Sequence, residues 1–513
     1  MKKRYTLVIA SAALLGVTSC DSLDLSPESS ITDANFWQTA DQFTAFSAGC
    51  NTYFRMYSWN MFLFGEPRSD VFDGTPFGGE AQQGMENLYY NTLSLSTPVV
   101  SNFGGLYYPI NQLNMLIAKS EETTLLDTAS KSYYLGMGYG MRAYLYFQLL
   151  RTYGEAIIYT DYTSGTTLDL SNLARTQDSE SAVLAQIKSD ISASESAFAN
   201  NWAFTKGKNY WSLAATEMLK AEVYLWSGKN EGGGSSDYQT ALAAAQSVQT
   251  NSGCSLLATY TDVFAFSKKK NDEIIFSLYS GENEYTMLGG SFYSNCMPQQ
   301  SYLINGSYYN EDHTAFGDTN DKTISGLIRL PLNTKLHDQL YRSGDSRKAA
   351  NIRDVYMKND DGTYYYKASF PYKYQGTLLS GATTRAAYDD YPIYRFADCL
   401  LLIAEAKAYL GQDPGTEINA VRQRAYGTLY DANTVGYPND TWATDLVGSD
   451  EDPVEAVLKE RFRELIFEGR RWYDLRQTGL CLKYSQAESG KLLWPIDQST
   501  LTNNAGLHQT TGY

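Results

Sequence analysis

Histidine is nearly absent from this chain. His313, His337 and His508 are the three in 513 residues, and no two lie at metal-ligand spacing. H-E-x-x-H, G-x-S-x-G and phosphate-loop patterns are missing too, so metalloprotease, serine-hydrolase and nucleotide-hydrolase chemistries have no footing in the sequence. Cysteine is sparse, with six residues and no C-x-x-C. Cations are in deficit: 41 Lys+Arg face 57 Asp+Glu, a formal charge of −16, and such a surface repels DNA, RNA and anionic headgroups. No apolar run approaches the roughly 18 residues of a membrane-spanning helix. What the chain has in excess is tyrosine, 42 residues against eight tryptophans. A tyrosine ring offers a flat apolar face and a polar tip, which suits wet recognition of sugar rings or peptide backbones. The same rings also serve helix–helix contacts.

The amino terminus has the layout of an export signal. Lys2, Lys3 and Arg4 precede an apolar run from Leu7 to Val17, too short to span a bilayer, and Thr18 and Ser19 lead to Cys20. This resembles a bacterial lipobox in a looser form, with Val17 and Ser19 where Leu and Ala or Gly are commoner. The resemblance implies a signal peptide over 1–19, lipidation of Cys20 and a flexible tether over 20–31. Asp21 and Asp24 resemble the acidic signal that sends such lipoproteins to the outer face. With Cys20 set aside, Cys50, Cys254, Cys296, Cys399 and Cys481 remain, odd in number and widely spaced, and no disulfide pairing follows from them.

Helical periodicity governs both ends of the mature chain. Met137, Met141, Tyr144 and Gln148 fall in register within 134–153, and Gly154 is placed to stop that helix. Val183, Ile187, Ile191 and Phe198 mark the next helix, and Ala215, Leu219, Val223 and Trp226 another. A Gly/Ser turn then leads to a helix over 238–250. Helices joined by short turns, with Ala where they cross, follow the logic of tetratricopeptide repeats without a strict period. From about Ser255 to Tyr391 the texture changes to a short strand at 272–280 followed by a stretch dense in Gly, Asn, Asp, Ser and Tyr, including Asp361-Gly362 before a Tyr-rich run. Long irregular structure of this kind is usually functional. Helices are expected again over 395–410, 417–425 and 454–478, with Trp494-Pro495-Ile496 closing the ordered part.

The last of these helices carries the densest chemistry. Residues 460–479 read ERFRELIFEGRRWYDLRQTG, and Glu460 with Arg463, Glu468 with Arg471, and Arg470 with Asp474 stand three or four apart. Arginine in place of lysine, interleaved with Trp472 and Tyr473, predicts partly buried bidentate pairing rather than catalysis. The run closely resembles the C-terminal signature of SusD/RagB-type proteins, surface lipoproteins that capture nutrients for a TonB-dependent transporter. Further matches follow in order: NFWQTADQF near the start, LGMGYGMRAYLYFQLLRTYGEAIIY, the R-x-A-D-x-L-L helix with Arg395, Asp398 and Glu405, INAVRQRAYG, and LLWPI near the end. Within the signature, Glu460, Arg461, Glu464, Glu468, Arg471 and Asp474 belong to the scaffold motif. The resemblance implies a mostly α fold: a TPR-like helical-repeat scaffold with a large irregular, loop-rich ligand face and a few short strands. It implies an N-terminal helical region over 32–254 and a C-terminal region over 255–513, with the irregular ligand face within 281–391. It implies oligosaccharide capture for a SusC-like TonB-dependent outer-membrane transporter, oligopeptide capture being the alternative, with no cofactor and no resident metal.

The family's ligand contacts come from variable loops, so candidates rest on chemistry. Phe77, Tyr89 and Tyr90 stand in an early loop, and Tyr293, Tyr302, Tyr308 and Tyr309 in the irregular middle. Asp318, Asn320 and Asp321 hint at a calcium turn but lack the glycine and distal glutamate of an EF-hand loop. A surface glycoside hydrolase needs only two suitably spaced carboxylates, and the 57 acidic residues leave that reading open.

Overall fold

The computed structural model describes residues 36–74, 82–100, 103–164, 174–284, 288–318, 325–382 and 385–513. The leader, Cys20 and the tether lie outside them. The helices of two or more turns are α1 (Ala40–Met56), α2 (Ser58–Gly65), α3 (Tyr107–Glu122), α4 (Thr128–Tyr153), α5 (Glu180–Phe198), α6 (Leu213–Asn230), α7 (Gly234–Asn251), α8 (Phe396–Tyr409), α9 (Gly415–Tyr426), α10 (Pro453–Leu465) and α11 (Arg471–Thr478). Four strands complete the regular structure: β1 (Ile274–Leu278), β2 (Ile352–Lys358), β3 (Tyr364–Pro371) and β4 (Tyr391–Arg395). The mostly helical architecture expected from the sequence is what the chain adopts.

Helix starts are set by side-chain caps. The Asp127 carboxylate takes the Ser130 N–H at 2.7 Å to open α4, and Ser179 and Ser212 accept from Ala182 and Ala215 to open α5 and α6. Asp452 caps α10 ahead of Pro453, a residue whose missing N–H costs nothing in the first turn. Each helix then packs on the next along the chain, α3 on α4, α4 on α5, α5 on α6, α6 on α7 and α7 on α8, which is a tetratricopeptide-like succession. The glycines of α4 permit that closeness. A Cβ at Gly136 would stand 2.6 Å from the Phe198 ring and one at Gly138 2.7 Å from Ile117, while Gly140 lies under Trp211.

The C-terminal signature departs from the single helix expected over 454–478. It is α10 and α11 with a break at 466–470, where Phe467 and Gly469 adopt φ of +68° and +71°. Glu66, at the end of α2, bridges that break: its carboxylate accepts from Phe467 N and Arg470 N, both at 2.8 Å. The expected local pairs do not form either, because partners distant in sequence take these side chains. Glu460 meets Arg347 at 2.7 Å and Arg422 at 2.9 Å, Arg471 grips Asp70, and Asp474 meets Arg461 at 2.8 Å. Glu464 accepts from Arg347 at 2.9 Å, from Arg395 at 2.6 Å and from Arg424, with none of the four side chains more than 3% exposed. Glu468 holds Arg395 and Lys373, and Asp398 meets Arg461 at 2.8 Å. Burial pushes the Glu460 carboxyl up, but Arg347, Arg422 and Arg463 outweigh it and hold the pKa at about 2. This lattice ties α8, α9 and α10 to the irregular middle of the chain. Glu405 is its exception: fully buried, with Oε1 unpartnered among the described residues, it is pushed up to about 8 by burial despite Arg461.

Two further differences concern the ends of ordered segments. Residues after Ile496 are also folded: they form a short helix, Gln498–Asn503, and the Tyr513 hydroxyl donates to Leu493 O at 3.1 Å. The irregular stretch 281–391 contains a hairpin, β2 against β3, paired from Ile352↔Pro371 to Lys358↔Tyr364 with a one-residue register shift between Val355 and Tyr356. Its turn is closed by Asn359 N to Thr363 O at 2.8 Å, with Gly362 at φ +90° as the residue that this reversal requires. β1 pairs antiparallel with β4, which leads directly into α8. Cys50, Cys254, Cys296, Cys399 and Cys481 are buried free thiols.

Candidate functional site

Where the signature meets the middle of the chain, an open cavity of about 550 Å³ lies among residues 69–73, 89, 333–335, 444–446 and 483–486. Its wall is mixed. Phe72, Tyr89, Leu446 and Tyr484 supply apolar surface, and Ser69, Asp73, Asn333, Lys335, Asp445 and Gln486 supply hydrogen-bonding groups. A mostly preformed concavity with a few fixed polar groups is the usual design of a small-molecule site. The scaffold fixes it from behind. Arg471 of α11 grips Asp70 through both carboxylate oxygens, at 2.8 and 2.7 Å, and its guanidinium lies 5.4 Å from the Tyr484 ring centroid. The Tyr484 hydroxyl donates to Glu455 at 2.5 Å and is pushed up to about 12 by burial, so it stays protonated. Asn333 donates to Asp70 O at 3.0 Å and takes the Lys335 N–H at 3.1 Å, which places Lys335 against Asp445 at 2.7 Å. Burial raises the Asp73 carboxyl, with Lys335 opposing.

Two residues beyond Lys335, the His337 ring stacks on Tyr366 of β3, centroids 4.0 Å apart and 14° from parallel. This begins an aromatic face along the hairpin. Tyr356 of β2 stands 6.1 Å from both His337 and Tyr366, and 6.2 Å from His313. His313 stacks on Tyr364 at 4.0 Å and 5°, and Tyr309 meets Tyr364 edge-on at 5.0 Å. The period of two in a strand puts Tyr364 and Tyr366 on one side of β3. Tyr309 joins β2 as a bridge partner of Tyr356, through N–H···O bonds of 2.9 and 2.8 Å. Asp354 anchors the face from below. Its carboxylate bonds His337 Nδ1 at 2.7 Å and Ser369 at 2.5 Å; burial pushes it up, and those bonds hold it below the usual range.

The sequence-predicted ligand residues distribute unevenly. Tyr89 is buried at the cavity wall, and Tyr90 beside it is exposed, the two rings edge-to-face at 4.6 Å. Tyr309 lies on the hairpin face. Tyr302 is half-buried outside both groups, Tyr308 is buried, and Tyr293 is buried with its hydroxyl 3.4 Å from Asp389. Phe77 lies outside the described residues, as do Asn320 and Asp321 of the hinted calcium turn. Among the described residues no group of three or more His, Cys, Asp or Glu could hold a metal ion. Sequence reasoning passed over Lys335, Tyr484, Tyr356, Tyr364, Tyr366 and both hairpin histidines. Tyr364, Tyr365 and Tyr366 form an unbroken run, so no alternation marked which of them share a face; nothing local marked His313 or His337, which reach their partners only through the fold.

The SusD family model matches residues 194–491. The chain belongs to the SusD family. NanU from B. fragilis shares 49% identity and superimposes with a TM-score of 0.91, covering 95% of this chain and all of that one. A SusD superfamily protein from Bacteroides vulgatus shares 44%, with a TM-score of 0.88 over 93% of this chain and all of that one. SusD-like protein P38 of Formosa agariphila is 26% identical over 549 residues, end to end in both chains. A laminarin-binding SusD-like protein, 22% identical with a TM-score of 0.70 over 93% of this chain and 100% of that one, shares the fold. SusD proteins are glycan-binding proteins of the cell surface, and among the described residues no helix of this one is long and apolar enough to cross a membrane.

Proposed function

We propose that this SusD protein is a lipid-anchored surface receptor that captures an oligosaccharide between the polar cavity and the hairpin's tyrosine–histidine face. The observation that carries the reading is that face: Tyr309, Tyr356, Tyr364, Tyr366, His313 and His337 make one continuous set of ring contacts on a hairpin, outside the closed core. Successive rings suit the apolar faces of successive sugars, and the hydroxyls, the Lys335 ammonium and Asn333 suit their hydroxyl rims. A peptide would call for backbone partners along an open strand edge, and Tyr309 occupies the β2 edge at Tyr356. Binding without hydrolysis is favoured because Asp70 and Asp445 are committed to Arg471 and Lys335, which leaves Asp73 without a free second carboxylate for glycosidase chemistry. Family membership supports the rest of the proposal: that Cys20 carries the lipid, that the protein faces the exterior of the outer membrane, and that the sugar passes to a SusC-like TonB-dependent transporter. Tyr364→Ala and Tyr366→Ala test the site. Each is expected to weaken oligosaccharide binding about fivefold to tenfold, from loss of roughly 1 kcal/mol of stacking; unchanged affinity in both would remove the hairpin from the site.

A further inference from the structure

Away from this cavity, a hollow of about 250 Å³ opens between the segment after α7 and the chain that links β3 to β4. Phe264 and Phe266 line one part of it, and Gln375, Thr377 and Asp389 another. Phe266 is 39% exposed, and it is held in place rather than loose. The Tyr388 ring lies 6.2 Å away and the Lys269 ammonium 5.2 Å from the Phe266 centroid. The polar groups have spare capacity. Gln375 makes no side-chain hydrogen bond among the described residues. Asp389 is 5% exposed, and its Oδ2 accepts from Gly376 N at 2.8 Å and from Tyr293 at 3.4 Å, but Oδ1 has only a 3.3 Å bond from Thr377. A carboxylate offers about four acceptor positions, so Oδ1 can take another donor.

An aromatic wall facing an amide and an underused carboxylate matches a ligand with one apolar face and a rim of hydroxyls. The hollow is smaller than the roughly 300–1,000 Å³ of sites for drug-sized ligands, which limits the occupant to one ring. Three nearby cations do not call for an anion: Lys373, which lines the hollow, is paired with Glu468 at 2.6 Å, Lys269 with Asp390 at 2.7 Å and Lys268 with Asp262 at 2.6 Å. We propose that this hollow is a second carbohydrate site, separate from the main cavity, that takes a single neutral pyranose. The ligand class rests on the glycan reading above; the location does not.

Saturation-transfer NMR on the mature protein, with the methyl glycosides of glucose, galactose, mannose and N-acetylglucosamine as probes, tests it beside an oligosaccharide titration. One methyl glycoside is expected to bind. Phe266→Ala and Gln375→Ala should each weaken it about tenfold while leaving oligosaccharide affinity and the far-UV spectrum intact. Tyr366→Ala should leave the methyl glycoside unaffected. Oligosaccharide binding with no methyl glycoside signal, or a methyl glycoside lost with Tyr366→Ala and kept by Phe266→Ala, overturns the second site and spares the first. Silence from every sugar overturns both.

Discussion

Replacing Glu464 by glutamine perturbs the scaffold at a buried carboxylate shared by three arginines. The change keeps the side chain's size and removes its charge, leaving Arg347, Arg395 and Arg424 around a neutral amide that can accept at one oxygen only. Removing one partner of a buried ion pair costs about 3–5 kcal/mol, because the remaining charge stays buried without compensation. Unfolding entropy of about 2.1 cal/mol/K per residue, taken over residues 36–513, gives ~1 kcal/mol/K, so the apparent Tm should fall by about 3–5 °C. The effect has a sign in pH. Burial raises the Glu464 carboxyl, but the three arginines hold it far below the usual range, so its contribution is present above about 4.5 and is lost as pH falls toward the folded value. Wild type and variant should therefore differ at pH 7 and converge in acid. Thermal denaturation followed by circular dichroism reads both. A control at the exposed Lys491–Glu488 pair, Glu488→Gln, should shift Tm by less than about 1 °C. A Glu464→Gln shift as small as the control's would refute the claim that this lattice holds the fold.

Glu405 should behave in the opposite way. Its folded pKa is raised, by burial, from 4.5 to about 8, so stability is full below 4.5 and falls as pH rises to 8; at about 1.4 kcal/mol per unit the slope is a few kcal/mol. Glu405→Gln should flatten urea midpoints across pH 5–8 and be no less stable than wild type at pH 8. Cys20→Ala should move the protein from the membrane fraction to the soluble fraction, because the acyl chains are the proposed anchor; retention after a mild wash would end that assignment.

The scaffold was legible and the site was not, for a physical reason. Helix periodicity and the stop at Gly154 are local, so residues a few positions apart report them. The charged run at 460–479 was legible as a buried ion-pair element, but its partners were not: Arg347, Arg395, Arg422 and Arg424 reach it from far away in sequence, and the break at Phe467 depends on Glu66 from α2. The hairpin face shows the same limit. Tyr364 and Tyr366 stand close together in one strand, but His313, His337 and Tyr309 are brought to them by chain reversals that no spacing rule encodes. Which acids are already paired is equally invisible in the sequence, as the Asp70–Arg471 pair shows.

The central claim is glycan capture at the cavity and hairpin, and calorimetric titration of the mature protein against a polysaccharide panel and a peptide library tests it most directly. The account predicts heat from one glycan class with modest affinity, no heat from peptides, no shortened products after incubation, and loss of the signal in a Tyr364→Ala/Tyr366→Ala variant. Peptide binding without glycan binding, or glycan binding untouched by the double substitution, would contradict it.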